Sequence, residues 1–417
     1  MNAGEQTDQV DDMDELDQIS RVALLIDDLS NEDPSAKLHS IKRLSQIAAL
    51  LGPERCVDEL IPMLTELIDK IDCNPELMMN LAEQLGHLTS FLGDKANSVS
   101  LLKPLELILP ADDSVVREKA VASLNVVGKN ISSQAVLDEY MPMVKRMRKG
   151  DLFSMRISAC FLYAQIYGRL PAAQREYTRA KFQKLAKDDT PMVRRGAAQS
   201  ISIISEFIER EHAESYLVPL LKTLLTDDND SVKIMAVYST IPVVKLVLDG
   251  SMQHLVKNEI IPPLKYAVEN KMASWRLRFS VAEIAAQMCE FIERDIVDND
   301  MVPLYENLIF DKEPEVKSEA VSKLNDLSKY ASPNRMTDKI IPSLQNIAIG
   351  DNSQHVRASL ALSICKIAES IGKQNSLTYL VPSVVQLLKD QATEVRIELM
   401  SHLRTLSEVI GPDEFDK

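Results

Sequence analysis

Three short segments hold the densest chemistry in this 417-residue chain. The first is Asp188-Asp189-Thr190-Pro191-Met192-Val193-Arg194-Arg195, with two carboxylates, a helix-capping hydroxyl and two guanidiniums in eight residues. The second, Ser274-Trp275-Arg276-Leu277-Arg278, contains the only tryptophan; the third, Lys145-Arg146-Met147-Arg148-Lys149-Gly150-Asp151, is the densest basic cluster. Such groups suit recognition of another protein, because Trp and Arg dominate interface hot spots. A plainer reading stands beside each: Trp275 as a core filler, the basic cluster as a solvated face. Groups for bond-making chemistry are not in evidence. No glycine-rich phosphate loop, H-E-x-x-H or G-x-S-x-G occurs. His39, His87, His212, His254, His355 and His402 are scattered, none with a second His or Cys at ligand spacing, so neither a metal nor a cofactor is expected. The residues predict a binding protein, not an enzyme.

A long repeat positions these segments. Pro62, Pro104, Pro142, Pro219, Pro262, Pro303, Pro342 and Pro382 each sit inside an apolar helical stretch, 38 to 43 residues apart except for one double gap of 77. A short acidic turn follows, then a second helix opening on a hydrophobic-basic pair. Its basic members are Arg117, Arg156, Arg194, Lys233, Arg278, Lys317, Arg357 and Arg396. Apolar residues at helical spacing, such as Val193, Ala197, Ile201 and Ile204, give each second helix one buried face. A period this long with helical patterning predicts an all-α solenoid of stacked helix pairs. Proline lacks an amide donor and clashes one turn back, so each first helix is expected to kink there. Thr190 is placed to cap the helix that Pro191 opens.

An acid stands six positions before the base in five turns, as in Asp188 and Arg194 or Asp351 and Arg357. In a stack, each base can bridge its own turn and the next. If exposed, such pairs contribute only about 0–1 kcal/mol each and act as a register device. Ten repeats are predicted, at 16–52, 53–93, 94–131, 132–170, 171–209, 210–249, 250–292, 293–331, 332–371 and 372–411. A disordered acidic tail is expected at 1–15, and residues 412–417 read as the start of a further repeat.

The formal net charge of −15 opposes general binding to nucleic acid or to anionic membranes. Basic patches on partner proteins are the expected targets. No apolar run approaches the ~18 residues of a membrane span. Cys56, Cys73, Cys160, Cys289 and Cys365 are odd in number and dispersed, which reads as small buried hydrophobes in a reducing compartment. With no apolar leader at the N-terminus, a cytoplasmic or nucleocytoplasmic protein is expected.

The chain resembles the scaffold (A, 65 kDa regulatory) subunit family of protein phosphatase 2A, built of HEAT repeats. The resemblance is carried by IDDLSNED (26–33), LAEQLG (81–86), VVREKAV (115–121), DDTPMVRR (188–195), SWRLRFSVA (274–282), QHVRASLA (354–361) and EVIG (408–411). It implies a HEAT-repeat α-solenoid, a right-handed superhelix of about ten antiparallel helix pairs. It also implies a non-catalytic scaffold whose inner turns hold B-type regulatory subunits. The family's docking positions fall on Asp112, Asp113, Asp151, Asp189, Pro191, Arg194, Arg195, Asp227, Asp228, Trp275 and Arg276. Three departures stand out. Leu152 occupies a turn position where an aromatic is usual. The seventh repeat is longer around Val247–His254 and at Met272-Ala273, which is expected to shift Trp275. The family has fifteen repeats, so the ones gripping its catalytic subunit should be missing here. A nuclear transport receptor of HEAT or armadillo kind is the alternative; those use rows of Trp and Asn, against a single Trp here.

Overall fold

The computed structural model describes residues 19–411 and 413, apart from residues 72, 250, 251 and 271. The expected acidic tail at 1–15 lies outside the described residues, as does the further repeat at 412–417 except Asp413. Among the described residues all regular structure is helical, with no strand. The chain forms two compact units, Met1–Ala197 and Ala198–Lys417. Each is an all-α solenoid of helix pairs. In the first unit Leu102–Ile108 precedes Ser114–Asn130, and Met141–Lys149 precedes Phe153–Ile166. In the second, Ile261–Glu269 precedes Trp275–Met288, and Ile341–Gly350 precedes Gln354–Ile371.

The first helices solve the proline problem in one recurrent way. A five-residue π-turn runs up to the residue before each of seven prolines, as Cys56–Leu60 does before Ile61-Pro62 and Met336–Ile340 before Ile341-Pro342. That preceding residue donates its N–H to the carbonyl five back, Ile61 to Cys56 and Ile341 to Met336. The wider turn relieves the clash between the pyrrolidine ring and the preceding carbonyl. The predicted kink is therefore a π-turn. Pro104 differs, because a 3-10 turn at Asn97–Leu101 precedes its helix.

The second helices pack on one another along the predicted stripe: Val356, Leu360, Ile364 and Ile367 are all buried. Hydroxyls join neighbouring repeats across this seam. Ser123 Oγ donates to the Ala82 carbonyl at 2.7 Å, and in the second unit Ser239 Oγ donates to the Ala198 carbonyl at 2.8 Å. Gly86 makes the first of these possible, since a Cβ there would lie 2.4 Å from Ser123 Oγ. At the far end of the second helix Gln354–Ile371, Gly372 takes φ 82°, a left-handed conformation that favours glycine.

Four cysteines are buried as expected, but Cys73 is exposed. It lies in the turn between the helices Ile61–Ile71 and Pro75–Leu88, outside any packed stripe. Burial pushes the Cys289 and Cys365 thiols up to about 12, and Cys160 higher still, so these three stay protonated near neutral pH.

Candidate functional site

The turns between first and second helices are held by one carboxylate used three ways. Asp351 Oδ1 accepts the N–H of Ser353, two residues on, at 2.9 Å, which folds the turn. Its Oδ2 accepts Lys317 Nζ from the preceding repeat at 2.6 Å, and its main-chain carbonyl accepts from Arg357 of its own repeat. Asp390 repeats the arrangement with the Ala392 N–H, the Arg357 guanidinium and Arg396. In the first unit Arg156 reaches Asp188 at 2.9 Å, Asp188 accepts the Thr190 N–H, and Arg194 donates to the Asp188 carbonyl at 3.0 Å. The bridging expected from the sequence is present, but these pairs are not surface pairs. The Arg278 and Asp311 side chains are only 3% and 6% exposed. The bases bridge neighbouring repeats, where packing shields them from much of the water. The hydrogen bond from Arg357 is the first cause holding the Asp390 carboxyl below the usual range.

In the first unit the turn edge presents Asp112, Asp113, Asp151 and Asp189, all exposed. Asp113 caps Ser114–Asn130 through the Val115 and Val116 N–H groups. The Asp112 and Asp151 carbonyls accept from Arg117 and Arg156, which leaves their carboxylates facing outward. Pro191 opens its helix, and the Thr190 carbonyl accepts from the Val193 and Arg194 N–H groups. The Thr190 hydroxyl, expected to cap that helix, accepts from Arg156 Nη2 at 3.2 Å. Arg194 is fastened to its own turn, whereas half-buried Arg195 makes no side-chain hydrogen bond or ion pair among the described residues.

In the second unit Asp227 folds its turn through the Asn229 N–H, and Asp228 is exposed beside it. Trp275 is half-buried, neither core filler nor fully exposed. Its ring packs edge-on to Phe279, with centroids 6.4 Å apart, and the exposed Arg276 guanidinium lies 4.6 Å from the ring centre. The longer seventh repeat has a definite consequence here. Met272 occupies the position of the turn carboxylate and is 91% exposed. Asp230 supplies the missing charge from the preceding repeat: it accepts the Ser274 N–H at 2.9 Å and pairs with Lys233 at 2.6 Å. Although burial opposes its ionisation, these hydrogen bonds and the Lys233 charge hold the Asp230 carboxyl below the usual range. Ser274 then caps Trp275–Met288 through the Leu277 N–H. A cleft of about 250 Å³ opens beside this turn, with Asp227, Lys233, Tyr266 and Asn270 in its wall.

Sequence reasoning missed several apolar groups on the first unit's turn edge. Phe153 is 46% exposed, and Met192 and Val115 are comparably exposed. Phe153 precedes Arg156 by three positions, as Trp275 precedes Arg278, so the register contained the signal. The aromatic usual at the position of Leu152 stands one residue further on.

Comparison with known proteins bears on the repeat architecture. The family model of the PPP2R1A-like HEAT repeat matches residues 294–372. The beta isoform of the human serine/threonine-protein phosphatase 2A 65 kDa regulatory subunit is 36% identical over 392 residues, covering 93% of this chain and 64% of that protein. The chain is a HEAT-repeat homologue of the phosphatase 2A scaffold subunits. Within that family, the protein phosphatase 2A scaffold subunit of Dictyostelium discoideum is 40% identical over 199 residues, covering 48% of this chain and 34% of that protein. This homologue thus spans less than two thirds of the length of these relatives, which are named as regulatory or scaffold subunits. Solved yeast importin-beta (Kap95p) superposes with a TM-score of 0.70 at 15% identity, over 95% of this chain and 53% of that one. That likeness is one of fold alone.

Proposed function

We propose that this chain is a non-catalytic scaffold of a phosphatase 2A-type serine/threonine phosphatase, docking B-type regulatory subunits on the turn edge of its repeats. The reading is carried by the Trp275 turn. An indole half out of the core, with a guanidinium stacked on it and a backbone fixed by Asp230, is a preorganised anchor of the hot-spot kind. Arg195 adds a cation with no partner among the described residues, suited to a carboxylate on the docking protein. The exposed carboxylates of Asp112, Asp151 and Asp189 suit a basic regulatory surface and favour fast, salt-sensitive association.

The test is a binding titration with a purified regulatory subunit. Trp275→Ala is expected to weaken binding by about 2 kcal/mol, roughly thirtyfold in Kd, with helix content unchanged. Arg195→Ala is expected to weaken it in the same direction. Unchanged affinity in both variants would overturn the assignment of the turn edge as the docking surface.

A further inference from the structure

The first unit holds a concentration of positive charge that the scaffold reading leaves unused. Residues 140–187 contain eleven Lys and Arg against two carboxylates, Asp151 and Glu176, whereas the rest of the chain carries 36 against 60. Five of the arginines are structural. Arg146 pairs with Glu106 and Arg156 with Asp188; Arg169 and Arg175 bond main-chain carbonyls, and Arg179 bonds the Tyr167 hydroxyl. The lysines are different. Lys145, Lys149, Lys181, Lys184 and Lys187 engage no carboxylate among the described residues.

Two of these lysines converge on one ring. Lys145 Nζ, from the helix Met141–Lys149, lies 5.0 Å from the centre of Tyr177, and Lys181 Nζ lies 4.9 Å from the same centre. Tyr177 and Lys181 belong to the helix Ala172–Leu185, so the ring gathers cations from the first helices of two successive repeats. The ammoniums are no further apart than the sum of those distances, so an anion in contact with both would relieve their mutual repulsion. Lys149 and Lys184, one turn further along each helix, are both exposed.

We propose that the paired first helices around Tyr177 form a docking face for an acidic segment of a partner protein, with Lys145 and Lys181 as its central cations. Charge complementarity names the occupant, and the rest of the chain limits its size. A net charge of −15 repels an extended polyanion such as nucleic acid or an anionic bilayer. Screening within about 8 Å at physiological salt leaves the local patch free to hold a short run of Asp and Glu. The lysines have compact ammoniums suited to separate carboxylates rather than to forked pairing.

Fluorescence anisotropy of the full chain with fluorescein-labelled deca-glutamate tests this. Saturable binding is expected at about 50 mM salt, weakening strongly by about 300 mM. Lys145→Glu with Lys181→Glu is expected to lower affinity by at least about tenfold with unchanged circular dichroism. The milder pair Lys145→Ala with Lys181→Ala is expected to lower it less. No binding by the natural chain, or equal binding by both double variants, would overturn the proposal. So would preferential retention of phosphatidylserine vesicles or single-stranded RNA over the peptide, each pointing to a different occupant.

Discussion

At Arg278 and Asp311 two opposite charges lie almost wholly out of water, bonded by two N–H···O contacts. Removing one partner of such a pair strands the other, which costs about 3–5 kcal/mol. Asp311→Ala also removes the acceptor of the Glu313 N–H that folds the turn. The expected result is a marked fall in the unfolding midpoint of the transition involving the second unit, followed by urea titration of the full chain. Asp390 makes a related prediction with pH. Its folded carboxyl is held below the ordinary value, so its contribution is complete above about pH 4 and disappears as pH falls through the lowered value. Asp390→Asn should be less stable than the natural chain at neutral pH and lose less stability on acidification. Equal losses in both proteins would refute a role for this carboxylate. The six-residue offset of acid and base was legible in the sequence, since a stack converts a constant offset into a row. The burial of the row was not, because it depends on how closely neighbouring repeats pack around the bases.

Among the elements, the seam between second helices is the tightest constraint. Gly86→Ala places a Cβ 2.4 Å from Ser123 Oγ and 3.1 Å from the Ser123 Cα. The side chain can rotate but the backbone cannot, so destabilisation of about 1–3 kcal/mol is expected, read as a lowered thermal midpoint. A change within experimental error would show that the helices Pro75–Leu88 and Ser114–Asn130 separate at no cost. The existence of the helix pairs was readable from proline spacing and apolar stripes. The π-turns before the prolines were not, because sequence shows that an amide is missing but not how the chain repairs the loss. Cys73 departs from expectation because cysteine type alone favours burial, while its position in a turn decides otherwise. The substitution of Asp230 for the absent carboxylate at Met272 was likewise hidden: it needs the two repeats side by side.

Within each of the two units, a repeat touches chiefly its neighbours, so what recurs there is an edge of turns and not an enclosed cavity. Phe153 and Met192 give the first unit's edge its apolar contacts, with exposed carboxylates and Arg195 for charge, and Trp275 gives the second unit's edge its own. The most direct test is hydrogen–deuterium exchange of the full chain with and without a bound regulatory subunit. Slowed exchange is predicted at 112–117, 151–156, 189–195, 227–230 and 274–278, with the far ends of the second helices unchanged. Protection confined to those far ends, with the turns exchanging as in the free chain, would contradict the account.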